Sequence, residues 1–198
     1  FVKAHDYPDT LAELILDDFI VNVFRTQAME FGARALCRTS TIARPTQTNV
    51  EKINDFNKRS TVMPMAPVMK ESTYRRLFPS YAKKIVASDE YMITAMSVGD
   101  TTSAYRTVKR SMYGGAHPDP FSKKVSCRPQ VAYDDLTLDV LERVNEIALI
   151  NTSLNEHGSP ILFDANDLER FQKFWLSRLK EVSRKHDLVQ FKTIVVED

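Results

Sequence analysis

Apolar side chains recur at helical spacing at both ends of this chain, and this recurrence constrains the fold more than any other feature. Between Thr10 and Arg38 the apolar residues fall near a 3.6-residue period, with acidic residues early and basic residues late. The spacing predicts one long helix over residues 10–38. A second pattern opens at Asp164 and predicts a helix to about His186, whose apolar stripe is Leu168, Phe171, Trp175, Leu179 and Val182.

Prolines interrupt the middle of the chain and favour short helices joined by long loops. Residues 62–69 are apolar but contain two prolines, so this segment is predicted to be extended. A further helix, capped by Asp134 or Asp135, is expected to run to about Ile150, and residues 188–196 alternate weakly, as a strand does. The sequence therefore predicts a mainly α fold, an irregular helical body with long Pro-containing loops and one short C-terminal strand.

Charge divides the chain into three parts. Between Arg34 and Arg128 there are seventeen Lys and Arg against seven Asp and Glu, whereas the flanks hold ten basic and nineteen acidic residues. An uneven charge distribution of this kind indicates what partners a chain binds rather than which fold it adopts. We expect a single chain, 1–198, with the long helix at 10–38, a basic docking region at 39–130 and a helical C-terminal body at 131–198. No apolar run approaches the ~20 residues that a membrane span needs, and the start of the chain indicates no compartment.

Each of the two cysteines is followed by an arginine, as Cys37-Arg38 and Cys127-Arg128. Nearby cations lower the pKa of a thiol and make it more reactive. A guanidinium beside the thiol is suited to holding a carboxylate. This pattern suits thioether attachment of a linear tetrapyrrole whose propionate is held by Arg38 or Arg128.

A helical, Tyr- and Arg-rich chain with prolines between its helices and basic loops resembles the linker polypeptides of phycobilisomes, in particular the phycoerythrin gamma type. The resemblance covers about residues 34–130. It implies a non-enzymatic scaffold that docks on acidic partner proteins of a large complex, in a plastid, with covalently attached bilin on the cysteines. The predicted partner contacts are Tyr74, Arg75, Arg76, Tyr81, Tyr105, Arg106, Lys109, Arg110, Tyr113 and Phe121.

Two other functions fit the same residues. The basic middle would also suit a viral or ribonucleoprotein subunit that binds nucleic acid, although the isoelectric point near 7.9 is below that of dedicated binders. A small cysteine-dependent enzyme would need a histidine beside Cys127 in space. The four histidines show no metal-ligand spacing, and no catalytic residue is predicted. Asn151-Thr152-Ser153 matches the acceptor pattern for N-glycosylation.

Overall fold

Strands and helices alternate along this chain in its computed structural model, which describes residues 2–26, 30, 32, 34–59, 65–79, 87–98, 116–118 and 125–197. The strands are β1 (Val2–Lys3), β2 (Ile20–Arg25), β3 (Thr39–Ala43), β4 (Ala66–Met69), β5 (Met96–Val98), β6 (Ala116–Pro118), β7 (Val125–Cys127), β8 (Gln130–Val131), β9 (Leu149–Ser153) and β10 (Phe191–Glu197). The helices are α1 (Tyr7–Leu16), α2 (Gln47–Phe56), α3 (Glu71–Leu77), α4 (Ala87–Glu90), α5 (Asp135–Val144) and α6 (Ala165–Lys185).

A seven-stranded mixed sheet forms the centre of the described part, in the order β1-β10-β2-β3-β9-β4-β8. Strand β3 is antiparallel to both of its neighbours, whereas β10 is parallel to β2 and to β1. A smaller antiparallel sheet has the order β5-β7-β6. This arrangement is an α/β fold.

Helices cover both faces of the large sheet. On one face, α1 and α5 pack through Leu11 and Leu141 onto strand residues such as Val23. On the other face, α2 and α6 pack through Ile53 and Trp175. Because both faces are covered, the central strands are buried along their whole length, as all six residues of β2 are.

The predicted mainly α fold and the helix over residues 10–38 are wrong. Helix α1 ends at Leu16, and Asp18 adopts a left-handed backbone with φ of 61° that no helix continues through. Residues 20–25, Ile-Val-Asn-Val-Phe-Arg, are rich in branched and aromatic side chains and pair on both edges as β2. A strand buried on both faces has apolar residues at nearly every position, so some of them also fall at helical spacing. The sequence was therefore read as part of a helix.

The elements predicted for the C-terminal part of the chain are largely confirmed. The helix from Asp164 is confirmed: the Asp164 carboxylate caps it by accepting a hydrogen bond of 2.8 Å from the Asp167 N–H, and the predicted apolar stripe is its packed face. The helix from Asp135 is confirmed only to Val144, because the following apolar run forms the central strand β9. The C-terminal strand is present as β10, and its partners β1 and β2 belong to the same chain. The extended conformation is confirmed for Ala66–Met69.

A salt-bridged carboxylate joins the ends of α2 and α6. Lys185 Nζ donates to Asp55 Oδ1 at 2.9 Å, and His186 Nε2 lies 2.9 Å from Asp55 Oδ2. Burial alone would raise the pKa of the Asp55 carboxyl, but the hydrogen bonds from Lys185 and His186 outweigh it and lower that pKa. The charged carboxylate is therefore favoured in the folded protein.

Substituting Asp55→Asn should make the stability of the protein less sensitive to acid. Because the folded pKa of Asp55 is lowered, its contribution is present above the unfolded value near pH 4 and is lost as the pH falls through the folded value. We expect Asp55→Asn to lower the unfolding free energy by roughly 0.5–1 kcal/mol at pH 7, since the pair is partly exposed. Urea unfolding of the wild type and of Asp55→Asn at pH 7 and at pH 3 measures the difference in unfolding free energy. An equal difference at both pH values would contradict the lowered pKa of Asp55 in the folded protein.

Candidate functional site

Several polar segments meet at one end of the large sheet. Strand β9 leaves the sheet there after Ser153, whereas β3 and β4 enter it there, since Ser40 pairs with Ser153 and Ala66 with Asn151. Strand β2 also ends there, at Arg25. We call this end the arginine edge and define it by Arg25, Arg38, Arg59, Gln130 and residues 151–155.

Arg59 is the central cation of the arginine edge. Its Nη1 donates to the Thr152 hydroxyl, and its Nη2 lies 3.5 Å from Ser153 Oγ and 3.4 Å from Asn155 Oδ1. Burial lowers the pKa of Arg59. Among the described residues, no carboxylate lies within ion-pairing distance of this guanidinium, and its buried Nε has no hydrogen-bond partner. A guanidinium carries five N–H donors, so two of them remain for a ligand.

The loop before β3 is held in place by one carboxylate. Glu30 Oε1 accepts hydrogen bonds from the backbone N–H groups of Leu36 at 2.7 Å, Arg38 at 2.8 Å and Thr39 at 3.3 Å. Burial raises the pKa of Glu30, although these backbone hydrogen bonds oppose the rise. Cys37, in the same loop, has a left-handed backbone with φ of 73°. These contacts give the loop a defined shape and therefore position Arg38.

Arg38 lies against an aromatic pair. Its guanidinium carbon is 5.5 Å from the centroid of the Tyr133 ring, and the rings of Tyr133 and Tyr91 are 5.8 Å apart. Burial raises the pKa of Tyr133, while the positive charge of Arg38 opposes the rise. The buried Nε of Arg38 has no partner among the residues that the structure describes. Arg38 is thus a second cation at the arginine edge, and its Nε–H makes no hydrogen bond with the described residues.

Arg25, in contrast, is neutralised within the protein. Its Nη1 lies 3.3 Å from Asp134 Oδ1, and both side chains are about nine-tenths buried. The same Asp134 oxygen caps α5 by accepting from the Thr137 N–H at 3.2 Å. The pair therefore joins the end of β2 to the start of α5 and stabilises the edge.

Two buried amides lie beside the arginine edge. Asn151 Nδ2 donates to the Ala35 carbonyl at 2.7 Å and to Gln130 Oε1 at 2.8 Å. The thiol of Cys37 lies 3.7 Å from the same Gln130 oxygen. Gln130 Nε2 and Asn151 Oδ1 are buried and have no partner among the described residues. The two amides are therefore only half satisfied.

The structure corrects the predictions made for the two cysteines. Both cysteines are free and 1% exposed. Burial raises the pKa of the Cys37 thiol well above its usual range and that of Cys127 to about 12, so the predicted lowering by neighbouring cations is wrong. The prediction that Arg38 binds an anionic group stays a prediction, and so does bilin attachment. Arg128 is half-buried.

The predicted partner contacts divide into three groups. Tyr74 is fully buried, with its hydroxyl 3.2 Å from Met96 Sδ, so the prediction that it anchors a partner is wrong. Arg75 is exposed and paired with Glu71, and Arg76 is exposed. The remaining seven residues lie outside the described part of the chain: Tyr81, Tyr105, Arg106, Lys109, Arg110, Tyr113 and Phe121.

Sequence reasoning missed Arg59, Gln130 and the polar run after β9. Asn151 was considered only as a glycosylation acceptor, but it is 1% exposed and hydrogen-bonded inside the protein. The available signal was a polar Asn-Thr-Ser run directly after the buried strand Leu149–Ile150. In the described part of the chain, no cluster of three or more His, Cys, Asp or Glu could hold a metal ion, and no helix could cross a membrane.

Residues 12–181 match the family described as carbamoyltransferase C-terminus, which covers most of the sequence. The chain belongs to this family. An uncharacterised protein of Methanocaldococcus jannaschii is 31% identical to this carbamoyltransferase C-terminal domain over 177 residues, which are 84% of the chain and 31% of that relative. The domain thus spans less than a third of the relative's length.

A solved structure shares the fold of the carbamoyltransferase C-terminal domain. Sua5 of P. abyssi, in a doubly substituted form, matches with a TM-score of 0.50 and 13% identity, over all of this chain and 51% of that chain. At this identity the likeness shows the α/β fold alone. It agrees with the mixed sheet and excludes the predicted mainly α architecture.

Family membership also corrects the predicted function. The resemblance to phycobilisome linkers is wrong, and with it the photosynthetic scaffold and the viral or ribonucleoprotein alternative, because the matched family is described as the C-terminus of carbamoyltransferases and the fold is α/β. The prediction of a non-enzymatic chain is not supported. The cysteine-dependent enzyme has no support either, since both thiols are buried. The predictions of protein partners, of nucleic-acid binding and of a plastid location stay untested. The plastid location depended on the resemblance to phycobilisome linkers, which is wrong.

Proposed function

We propose that this chain is the donor-binding domain of a carbamoyl-transferring enzyme and that the arginine edge binds the anionic leaving group of the donor. The observation that carries the proposal is Arg59, a largely buried guanidinium with no carboxylate partner in the described part of the chain. Burying a cation without a counter-ion is costly, so an anionic ligand would offset that cost.

Carbamoyl transfer explains why an anion should bind here. The reaction moves a –CO–NH₂ group from a leaving group to a nucleophile, and a good leaving group, such as phosphate, departs with negative charge. Fixed cations and N–H donors stabilise such charge as it develops. The acceptors Thr152, Ser153 and Asn155 hold the Arg59 fork in one orientation, and two of its N–H groups, one of them the buried Nε–H, make no hydrogen bond with the described residues.

Arg38 supplies a second cation at the same end of the sheet. The Leu154 N–H donates to the Thr39 carbonyl at 3.2 Å, so the residue that precedes β3 is placed opposite the residues that follow β9. Arg38 therefore lies at the same end of the sheet as the residues that Arg59 contacts. Two guanidinium groups at one end of the sheet would suit a phosphate group, which accepts several charged hydrogen bonds.

Substituting Arg59→Gln should weaken the binding of carbamoyl phosphate and of inorganic phosphate by roughly 10- to 100-fold, because a charged hydrogen bond contributes about 1.5–3 kcal/mol. Isothermal titration calorimetry with each compound measures this. The matched control is Arg75→Gln, whose exposed guanidinium pairs with Glu71 on α3 and should leave both affinities unchanged. Equal affinities in the wild type and in Arg59→Gln would overturn the proposal, as would an absence of binding in the wild type.

A further inference from the structure

A groove of about 450 Å³ lies between the loop that follows β9 and the first half of α6. The most buried of its lining residues are apolar: Leu162 and Phe171 are buried, and Phe174 is half-buried. Phe163, with 63% of its surface exposed, adds a third aromatic ring to the lining. Concave, mostly apolar spaces of this size are typical of sites that bind small organic molecules. The groove therefore offers the volume that a ligand needs.

Hydrogen bonds within the chain give the loop wall of the groove a defined shape. Asn155 Nδ2 donates to the Ser159 carbonyl at 2.7 Å, which closes the start of the loop. At the other end of the loop, the Phe163 N–H donates to Asp167 Oδ2 at 3.0 Å and joins the loop to α6. A wall that is already held in place costs a ligand less ordering entropy when it binds. The groove is therefore largely pre-formed.

The groove carries one negative charge that is not neutralised within the described part of the chain. Glu156 lines the groove and is exposed, and no Lys, Arg or His among the described residues lies within ion-pairing distance of its carboxylate. Arg170 and Asp167, the other charged residues of the lining, pair with each other. The Glu156 carboxylate is therefore available to a cationic ligand.

We propose that this groove binds a small organic cation, an amine whose apolar body packs on Phe171 and Phe174 while its ammonium group pairs with Glu156. Burial of the apolar body supplies the attraction, and the charge selects the ligand, because an anion would meet the like charge of Glu156. Lys58 Nζ and the Arg178 guanidinium carbon lie 5.7 Å and 6.0 Å from the centroid of the Phe174 ring, but neither residue lines the groove. None of the lining residues belongs to the arginine edge, so the amine can bind whether or not that edge binds phosphate.

Three probes with the same phenyl ring test the role of charge: phenethylamine, phenethyl alcohol and phenylacetate. At neutral pH the first is a cation, the second is uncharged and the third is an anion. We expect the wild type to bind the amine roughly 3- to 10-fold more tightly than the alcohol, because a charged hydrogen bond at a partly exposed site adds modestly to binding. Phenylacetate should bind most weakly. NMR titration of the isotopically labelled protein measures the three dissociation constants, and the backbone resonances that shift should belong to residues 156–163 and 167–174.

The charge of the rim is tested by Glu156→Gln, which removes the charge and keeps the size of the side chain. It should weaken phenethylamine binding by roughly 3- to 10-fold and leave phenethyl alcohol binding unchanged. The matched control is Glu142→Gln on α5, since Glu142 is also exposed but does not line the groove. It should leave all three affinities unchanged. Because both glutamates are exposed, both variants should fold, and thermal unfolding checks this.

Equal affinities of the wild type for phenethylamine and phenethyl alcohol would overturn the amine site, and so would equal losses of phenethylamine binding in Glu156→Gln and Glu142→Gln. The site would also be refuted if none of the three probes bound, or if the shifted resonances belonged to residues outside the groove. Phosphate binding by the same protein is a separate measurement that decides the arginine edge, so the two proposals can fail independently.

Discussion

Substituting Trp175→Ala should lower the free energy of unfolding by about 3–5 kcal/mol, the usual cost of removing a large aromatic side chain from a core. Trp175 is fully buried, and its ring stacks on Phe56 with a centroid distance of 4.3 Å. Its Nε1 donates to Asn57 Oδ1 at 2.9 Å, so the substitution also leaves a buried acceptor without a donor. Trp175 therefore joins α6 to α2 through both its ring and its Nε1–H.

The neighbouring residue supplies the control for Trp175. Leu176 lies on the same helix with 59% of its surface exposed. Leu176→Ala removes apolar atoms from water rather than from the core, and we expect a change within about 0.5 kcal/mol. Urea unfolding followed by circular dichroism measures both variants. A loss below about 1.5 kcal/mol in Trp175→Ala would contradict the packing described for the α2–α6 layer.

Substituting Asp134→Asn should lower the free energy of unfolding by about 2–4 kcal/mol, because it breaks the buried ion pair with Arg25. Asparagine caps a helix as well as aspartate does, so the cap of α5 is retained and the charge alone is lost. The expected loss lies near the lower end of the range for broken buried pairs, because an asparagine oxygen can still accept from the Arg25 guanidinium.

The matched control for Asp134 is Asp164, which caps α6 but is exposed. Asp164→Asn changes the same atoms at a helix start that water surrounds, so we expect a loss of at most about 0.5 kcal/mol. Urea unfolding of the two variants at pH 7 compares a buried with an exposed charge. Equal losses would show that burial of the Arg25–Asp134 pair contributes nothing to stability.

Local chemistry explains which elements could be predicted. The cap at Asp164 and the apolar stripe through Trp175 require only neighbours along one helix, and both are confirmed. Residues 66–69 were correctly predicted as extended, because Pro67 excludes a helix interior. The stretch after Leu16 failed because an apolar segment buried on both faces has no period of its own, and pairing with two neighbouring strands decided its conformation.

The candidate site could be predicted only in part for a related reason. The sequence drew attention to guanidinium groups suited to an anion, and Arg38 does lie at the arginine edge. Arg59 escaped notice because its partners Thr152 and Ser153 are more than ninety positions away. The cysteines were misjudged because adjacent arginines in sequence do not place positive charge next to a thiol that points into the core.

The sequence by itself determined a helix start at Asp134 or Asp135 and another at Asp164, the apolar face of α6 and the supply of arginines in the middle of the chain. These properties depend on hydrogen bonds and spacing within a few residues. Only the tertiary structure decided that Arg59, Gln130 and Asn151 lie together, which polar atoms among them stay unpaired, and that both thiols are buried. The reason is that a mixed sheet brings distant segments to one end through strand register, and register depends on all of its strands at once.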